Sequence, residues 1–455
     1  MRVFDPASSP ALESSYAKHV NAQWVRVLEL LQMNETYAWC EGAELFTVGG
    51  RRILDFLSGY CVHNIGHNHP RVVQALKDEL DRRGPAMLQS HAPEAAGELA
   101  ARLCAKAGGR LTNAYFGSSG SEGIETVIKF ARAHTGRAGI LHADGSFHGL
   151  TCGALSLMGD PFWRDGFGPL LPDTARVPFG NVDALAVRLS SRRFGAFVVE
   201  PIQAESGISV PDRGYLRTAQ ALCRRYGTLF VLDEVQTGLH RTGPFLAAHH
   251  FGLEPDMVVL AKALSGGLVP SGAVLLSKEI YESVYSSLSR AFVHTSTYSE
   301  NGLAMRAGLA TLDVLEDERL GERAAAVGEY LRRSLRERLA GFEMVREVRG
   351  LGLLSGIEFQ APRQFWRRAS FESLDRIHSG VFGQMLVMRL YRQEDVLSQI
   401  CGSNFMVLKV APPLAVSDAQ VEQFVGAVSR VVEQMHSSMA FWTEALTLVH
   451  RLVNI

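Results

Sequence analysis

GAFVVE at Gly195–Glu200 and TLFVLD at Thr228–Asp233 are two near-continuous apolar runs, with a helix pattern at Tyr215–Tyr226 between them. A strand that can be apolar at every position is one covered on both faces, which is the situation inside a parallel sheet. Asp256–Leu260 (DMVVL) and Gly272–Leu276 (GAVLL) repeat the pattern. The alternation of strand, helix and strand is the rhythm of an open α/β sheet, and it runs from about Arg71 to Ala310. Upstream, a helical stretch (Ala11 to Met33) and strand-like pieces (Glu44–Val48, Arg52–Phe56) fill the first 70 residues. Downstream, a charged amphipathic stretch from Leu315 to Leu339 leads to strand candidates Leu353–Phe359 and Phe405–Val410 and a helix at Asp418–Met435. The expected architecture is α/β. A large domain, 71–325, carries the mostly parallel central sheet. A smaller α+β domain is built from the N-terminal segment, 1–70, and the C-terminal segment, 326–455.

Composition narrows the function classes. The chain has 455 residues and is 47% hydrophobic, enough for a packed interior and against wholesale disorder. Lys plus Arg (46) nearly cancels Asp plus Glu (47), so no basic excess is available for phosphate-backbone binding, and no nucleic-acid partner is expected. Cys40, Cys61, Cys104, Cys152, Cys223 and Cys401 show no CxxC spacing, so neither a disulfide framework nor a zinc site is expected. The opening MRVFDPASSP lacks a signal-peptide pattern, and no uncharged apolar run reaches the about 18 residues of a membrane span. A cytoplasmic location is the expectation.

Ligands of open α/β sheets gather where strands end and loops begin. After the strand-like Asn113–Phe116 comes Gly117-Ser118-Ser119-Gly120-Ser121-Glu122-Gly123, followed by a helix pattern to His134. Small residues before a helix leave N–H groups and the positive dipole end free for a phosphate, although an ordinary Gly-rich turn reads the same way. Asp233 ends a buried strand, where a carboxylate is costly without a cation or strong donor beside it. A protonated pyridinium nitrogen is such a partner. Lys262, 29 residues downstream, follows the next strand at Ala261-Lys262-Ala263. Desolvated there, its amine is a nucleophile; left in water, it is an ordinary loop lysine.

A phosphate cradle, a strand-end Asp and a strand-end Lys match the three handles of pyridoxal 5'-phosphate. At this point the sequence resembles the class III (ornithine/ω-amino acid type) aminotransferases of fold type I, from roughly Asp55 to Pro413. The resemblance rests on FLSGYCVHNIGHNHP, GSSGSEG, SFHG, VVEPIQAESG, VLDEVQTGLHRTG, LAKALSGG, HTSTYSENGLA, VRGLGLL and VAPPL. It implies that Lys262 forms the Schiff base with the cofactor and shuttles the proton, and that Asp233 pairs with the pyridine nitrogen. Gln236 would reach the phenolic oxygen, Gly120 and Ser121 the phosphate, and Phe147 the ring face with His148 nearby. Glu200 would support Asp233. Thr297 would reach the partner subunit's phosphate, making the active unit a homodimer. Tyr60 is either core or substrate-facing. His63, His67 and His69 have an irregular spacing that suits turns and caps better than a metal, and no metal is expected.

The departures bear on substrate. Members that handle ornithine or acetylornithine carry an Arg directly after the aromatic-x-Gly motif, where this chain has Leu150. The Arg that binds an α-carboxylate before the APPL-type segment is Lys409 here, a point charge in place of a fork. Glu205 matches the acid that swings away from that Arg, so a Glu205–Lys409 pair would keep a weaker form of the switch. Ser299-Glu300 replaces a pair of glycines, and Gly302 replaces a Pro. Glu300 would add a carboxylate near the pocket mouth. Together these changes favour a biosynthetic aminotransferase that moves an amino group from glutamate or another amino acid to an aldehyde or ketone lacking an α-carboxylate. Ornithine, acetylornithine or 4-aminobutyrate metabolism is the alternative, as is a racemase, aminomutase or decarboxylase on the same scaffold. A non-enzymatic binding protein is disfavoured by the presence of Lys262 and the lack of a DNA-binding segment. In the tail, Phe441, Trp442, Ala445, Leu448, Val449, Leu452 and Val453 recur at helical spacing, which fits packing on the protein itself or contact with a membrane surface.

Overall fold

The computed structural model describes residues 13–88, 90–377, 380–438 and 440–445. Its centre is a seven-stranded sheet ordered Leu111–Gly117, Gly272–Ser277, Met257–Leu260, Leu229–Asp233, Phe194–Val199, Gly139–Ala143 and Thr174–Val177. Every residue of the four strands from Gly272–Ser277 to Phe194–Val199 is buried, as their apolar runs require. Helix Tyr215–Tyr226 crosses between Phe194–Val199 and Leu229–Asp233, buries Leu216, Ala219 and Cys223, and ends on Gly227 in the left-handed region.

One strand departs from the parallel reading. Gly272–Ser277 pairs antiparallel with both neighbours. Residues 261–271, which link it to Met257–Leu260, hold only the short turn Lys262–Ser265, too little chain for a helical crossover, so the strand must run back. Two stretches that read as single helices are each broken. The first becomes Ser15–His19 and Ala22–Leu30, because Asn21, in extended conformation, accepts from the Trp24 N–H and starts a new helix. The second, Leu315–Leu339, is split between the end of helix Gly302–Asp317 and helix Leu320–Leu339, with the break at Arg319, φ 50°.

The two ends of the chain meet. The antiparallel strands Tyr37–Glu41, Glu44–Thr47 and Arg52–Asp55 are completed by Val396–Leu397, which pairs in parallel with Arg52–Asp55. A second four-stranded sheet takes Val345–Leu351, Leu354–Phe359, Val407–Val410 and Gln399–Ile400. Helix Asp418–Ser437 packs on Leu320–Leu339 beside it. Residues 440–445 then fold back on the chain: Phe441, Trp442 and Ala445 are buried, and the Trp442 indole N–H donates to the Met435 carbonyl at 3.1 Å. Those three side chains are therefore core and not a membrane face. Leu448, Val449, Leu452 and Val453 lie outside the described residues.

Arg241 ties these parts together. Its fully buried guanidinium donates to the carbonyls of Leu353 (2.9 Å) and Pro412 (2.5 Å), to Asn64 Oδ1 (2.5 Å) and to Ser58 Oγ (3.3 Å). Ser58 opens a run of four residues, Ser58-Gly59-Tyr60-Cys61, all with φ between 46° and 70°. A left-handed turn of this length is rare for residues with a Cβ, and Asp55 Oδ1 holds it by accepting from the N–H groups of Leu57 and Ser58, both at 2.8 Å. The turn presents Tyr60 toward the site described below. A second close approach is at Gly328, where an added Cβ would sit 1.9 Å from the Gly352 carbonyl oxygen. Gly328→Ala is expected to cost about 2 kcal/mol by forcing helix and loop apart, read as a lowered midpoint in denaturant unfolding.

Candidate active site

Parallel strands point their C-terminal ends the same way, so the residues that follow them collect at one edge of the sheet. Asp233 closes its strand there; Glu200 follows Phe194–Val199, and Lys262 follows Met257–Leu260. Phe147 and His148 come from the loop after Gly139–Ala143, and Gly120 and Ser121 open helix Gly120–Thr135. These residues and Gln236 line one cavity of about 540 Å³. The structure thus brings together eight of the residues singled out in the sequence.

At the helix start, the Ser119 side chain accepts from the Glu122 N–H at 3.2 Å. The first-turn N–H groups of Gly120 and Ser121 have no acceptor within the helix. Ser121 Oγ accepts from the Leu150 N–H at 3.2 Å, which leaves its own hydroxyl proton to donate. Opposite, His148 Nδ1 lies 2.8 Å from Asp233 Oδ2, and the Val235 N–H donates to Asp233 Oδ1 at 3.0 Å. Burial opposes a charge on His148, but the Asp233 carboxylate overcomes it and holds the imidazole above its ordinary range. This pair answers the question of what accompanies the buried Asp233; the sequence placed His148 only near the cofactor.

Glu200 is pushed up to about 7, first by burial and also by the Asp233 charge, against the pull of His148. Its carboxylate accepts from the N–H groups of Phe147 (2.9 Å) and Ala204 (3.3 Å), so it fixes the loop that carries Phe147. Burial moves the Lys262 amine downward. Lys262 has φ 45°, an uncommon conformation for a side-chain-bearing residue, of the kind that clusters at functional sites. Two buried polar atoms among these residues lack a hydrogen-bond partner, His148 Nε2 and Gln236 Oε1. Unpaired polar atoms on a cavity wall are what a bound polar ligand would satisfy.

Beside Gln236 sits a buried ion pair, Glu205 with Lys409. Glu205 Oε1 also accepts from Gln236 Nε2 at 3.0 Å, and Oε2 accepts from the Gly402 N–H at 3.0 Å. Burial alone would raise the Glu205 carboxyl; Lys409 reverses that and holds it at about 2. Burial alone would lower the Lys409 ammonium; Glu205 reverses that and holds it above its ordinary range. The Tyr60 ring lies 5.1 Å from Lys409 Nζ, a cation–π contact, so Tyr60 belongs to this group.

Three predicted residues stand apart. Leu150 is 53% exposed and is not among the residues lining the cavity, but its N–H donates to Oγ of Ser121, which does line it. Thr297 and Glu300 line a different cavity of about 790 Å³, with Tyr115, Tyr285, Phe292 and His294. Glu300 is therefore not at the mouth of the first cavity within this chain. The histidines stack and cap: His63 lies on His67 (3.9 Å), His67 Nε2 meets Asp55 Oδ2 at 2.7 Å, and His69 caps Pro70–Arg82. No group of three metal-type ligands occurs among the described residues. Sequence reasoning passed over Trp163, whose ring meets Phe147 edge-on at 5.4 Å. Its turn, Pro161–Trp163, has no periodicity that marks it as site rather than loop.

The family model described as Aminotransferase class-III matches residues 31–432. Aminotransferase PigE of Serratia sp. is 35% identical over 463 residues, covering 95% of this chain and 54% of PigE. The chain thus spans about half the length of that relative. Putrescine aminotransferase of Pectobacterium atrosepticum is 33% identical over 404 residues, 87% of this chain and 81% of the relative. Among solved structures, an ornithine aminotransferase from Toxoplasma gondii with partial occupancy of PLP at its active site superposes with a TM-score of 0.79 at 29% identity. That match covers 88% of this chain and 91% of the other.

Proposed function

Because the chain belongs to the class-III aminotransferases, a family that works with pyridoxal 5'-phosphate, we propose that it moves an amino group from an amino-acid donor, glutamate above all, to an aldehyde or ketone without an α-carboxylate. The observation that carries this reading is the convergence of Asp233, Lys262 and the Gly120–Ser121 helix start on one cavity. When bound, the cofactor draws electrons from the substrate carbon that loses its proton. Gly120 and Ser121 hold the phosphate through N–H groups and a hydroxyl. Asp233, hydrogen-bonded to His148, holds the proton on the ring nitrogen, Phe147 packs on the ring, and Gln236 serves the phenolic oxygen. Glu200 keeps the Phe147 loop and the Asp233 surroundings in place. Lys262 attaches the cofactor through its amine; lowered by burial, that amine is free to take and return the substrate proton.

Glu205 and Lys409 accommodate two kinds of substrate. With Glu205 turned away, Lys409 meets the carboxylate of an amino-acid donor. With the pair closed, the cation is neutralised and a neutral carbonyl compound is admitted. Leu150, standing where a carboxylate-clamping Arg would be, and Tyr60 give the entrance an apolar character. Thr297 lines the second cavity and not the one that gathers Asp233 and Lys262, which supports a homodimer in which each chain lends Thr297 to the other and Glu300 sits by the shared wall. We assign 71–325 to the cofactor-binding domain, and 1–70 with 326–455 to the smaller one. No helix among the described residues is long and apolar enough to cross a membrane. All six cysteines are free, which supports a reducing compartment such as the cytoplasm.

The test is conversion of the cofactor-loaded enzyme by single amines, followed by absorbance and by product analysis. Glutamate and apolar primary amines are expected to react while ornithine and 4-aminobutyrate do not. Reaction with ornithine or 4-aminobutyrate would overturn the substrate assignment.

A further inference from the structure

Trp163 carries an indole N–H that is buried and without a hydrogen-bond partner. Leaving such a donor unmade is costly. The direction it faces follows from a neighbouring glycine. A Cβ placed on Gly402 would lie 3.6 Å from Trp163 Cζ2 and 3.1 Å from Glu205 Oε2. In indole, Cζ2 and Nε1 are bonded to the same carbon, so the ring atom nearest Gly402 lies on the edge that bears the N–H. The Asp160 side chain accepts from the Phe162 N–H at 2.9 Å and caps this turn, while Phe147 meets the ring edge-on at 5.4 Å. The indole thus lies beside Phe147, which lines the cavity, and beside Gly402, whose N–H donates to Glu205.

We propose that Trp163 is a specificity-determining residue whose N–H donates to one oxygen of the donor's carboxylate while Lys409 faces the other. This rests on the reading above, in which the donor carries a carboxylate. The chemistry explains how a lysine serves where the family resemblance places an arginine. A guanidinium offers two fixed, parallel donors, whereas an ammonium is a point charge that sets distance and not orientation. Glu205 already shows the pattern a carboxylate adopts there, with one oxygen on Lys409 and the other on a backbone N–H. A substrate carboxylate entering as Glu205 leaves finds Lys409 on one side and the indole edge on the other. An amine without a carboxylate makes no use of the indole N–H.

The experiment compares holoenzyme with its Trp163→Phe variant, which keeps an aromatic ring and removes the donor. Two quantities are measured: the ratio of kcat/KM for glutamate to that for hexylamine, and the dissociation constant of glutarate by calorimetry. Loss of a hydrogen bond to a charged group should lower the ratio about tenfold and weaken glutarate by a similar factor. An unchanged ratio together with unchanged glutarate affinity would overturn the proposal. If the parent enzyme turns over no glutamate, the donor assignment has failed; glutarate affinity then decides the role of Trp163 alone.

Discussion

Lys262→Ala is expected to lower transamination about a thousandfold or more, since it removes both the covalent attachment of the cofactor and the base that handles the substrate proton. The amine is well suited to both tasks. It stands at the end of a fully buried strand, burial moves its pKa downward, and it makes no hydrogen bond or ion pair among the described residues. Nothing structural depends on its tip, so the variant should fold with an unaltered circular dichroism spectrum. The absorbance of bound cofactor should change, because the carbon–nitrogen linkage to the lysine is gone. Activity within tenfold of the parent would mean that another residue moves the proton.

Lys409→Ala is expected to destabilise the fold by about 3–5 kcal/mol, the cost of leaving a buried partner charge uncompensated. Glu205 would keep its Gln236 and Gly402 hydrogen bonds and lose the cation that holds it at about 2. The pH dependence follows from the two directions. A carboxyl held below its ordinary 4.5 stabilises the folded state above that value and loses its contribution as pH falls toward about 2. An ammonium held above its ordinary 10.5 stabilises below that value and loses its contribution as pH rises beyond it. The pair therefore contributes across the neutral range, and the deficit of Lys409→Ala should shrink as pH falls and Glu205 takes up a proton. Denaturant unfolding at pH 7 and pH 4 checks this. The doubly neutral variant Glu205→Gln with Lys409→Met should recover most of the loss, since it strands no charge. A deficit equal at both pH values would mean that the loss comes from packing of the lysine stem.

Much of the molecule could be read along the chain because the forces that decide it are local. The runs Gly195–Val199, Leu229–Leu232 and Met257–Leu260 carry no polar side chain, and strands covered on both faces suit that pattern. Helix Tyr215–Tyr226 has the same limits in the structure as in the periodicity, with Gly227 to stop it. Asp233, Lys262 and Gly120 were legible as a set because each sits directly after or before such an element, and strand ends of one sheet share an edge. What the chain could not show was settled by contacts between distant residues. The direction of Gly272–Ser277 depends on how much chain the preceding link contains, a matter of reach and not of composition. The left-handed turn at Ser58–Cys61 is held by Asp55 just before it and, from far along the chain, by Arg241 and the Ala411 carbonyl at Ser58 Oγ. The His148–Asp233 pair, the placing of Thr297 and Glu300 in a separate cavity, and the unpaired indole edge of Trp163 beside Gly402 have the same origin. Periodicity reports which face of an element is buried, but only the packed fold decides which side chains meet across it, because a hydrogen bond or ion pair exists only at a few ångströms.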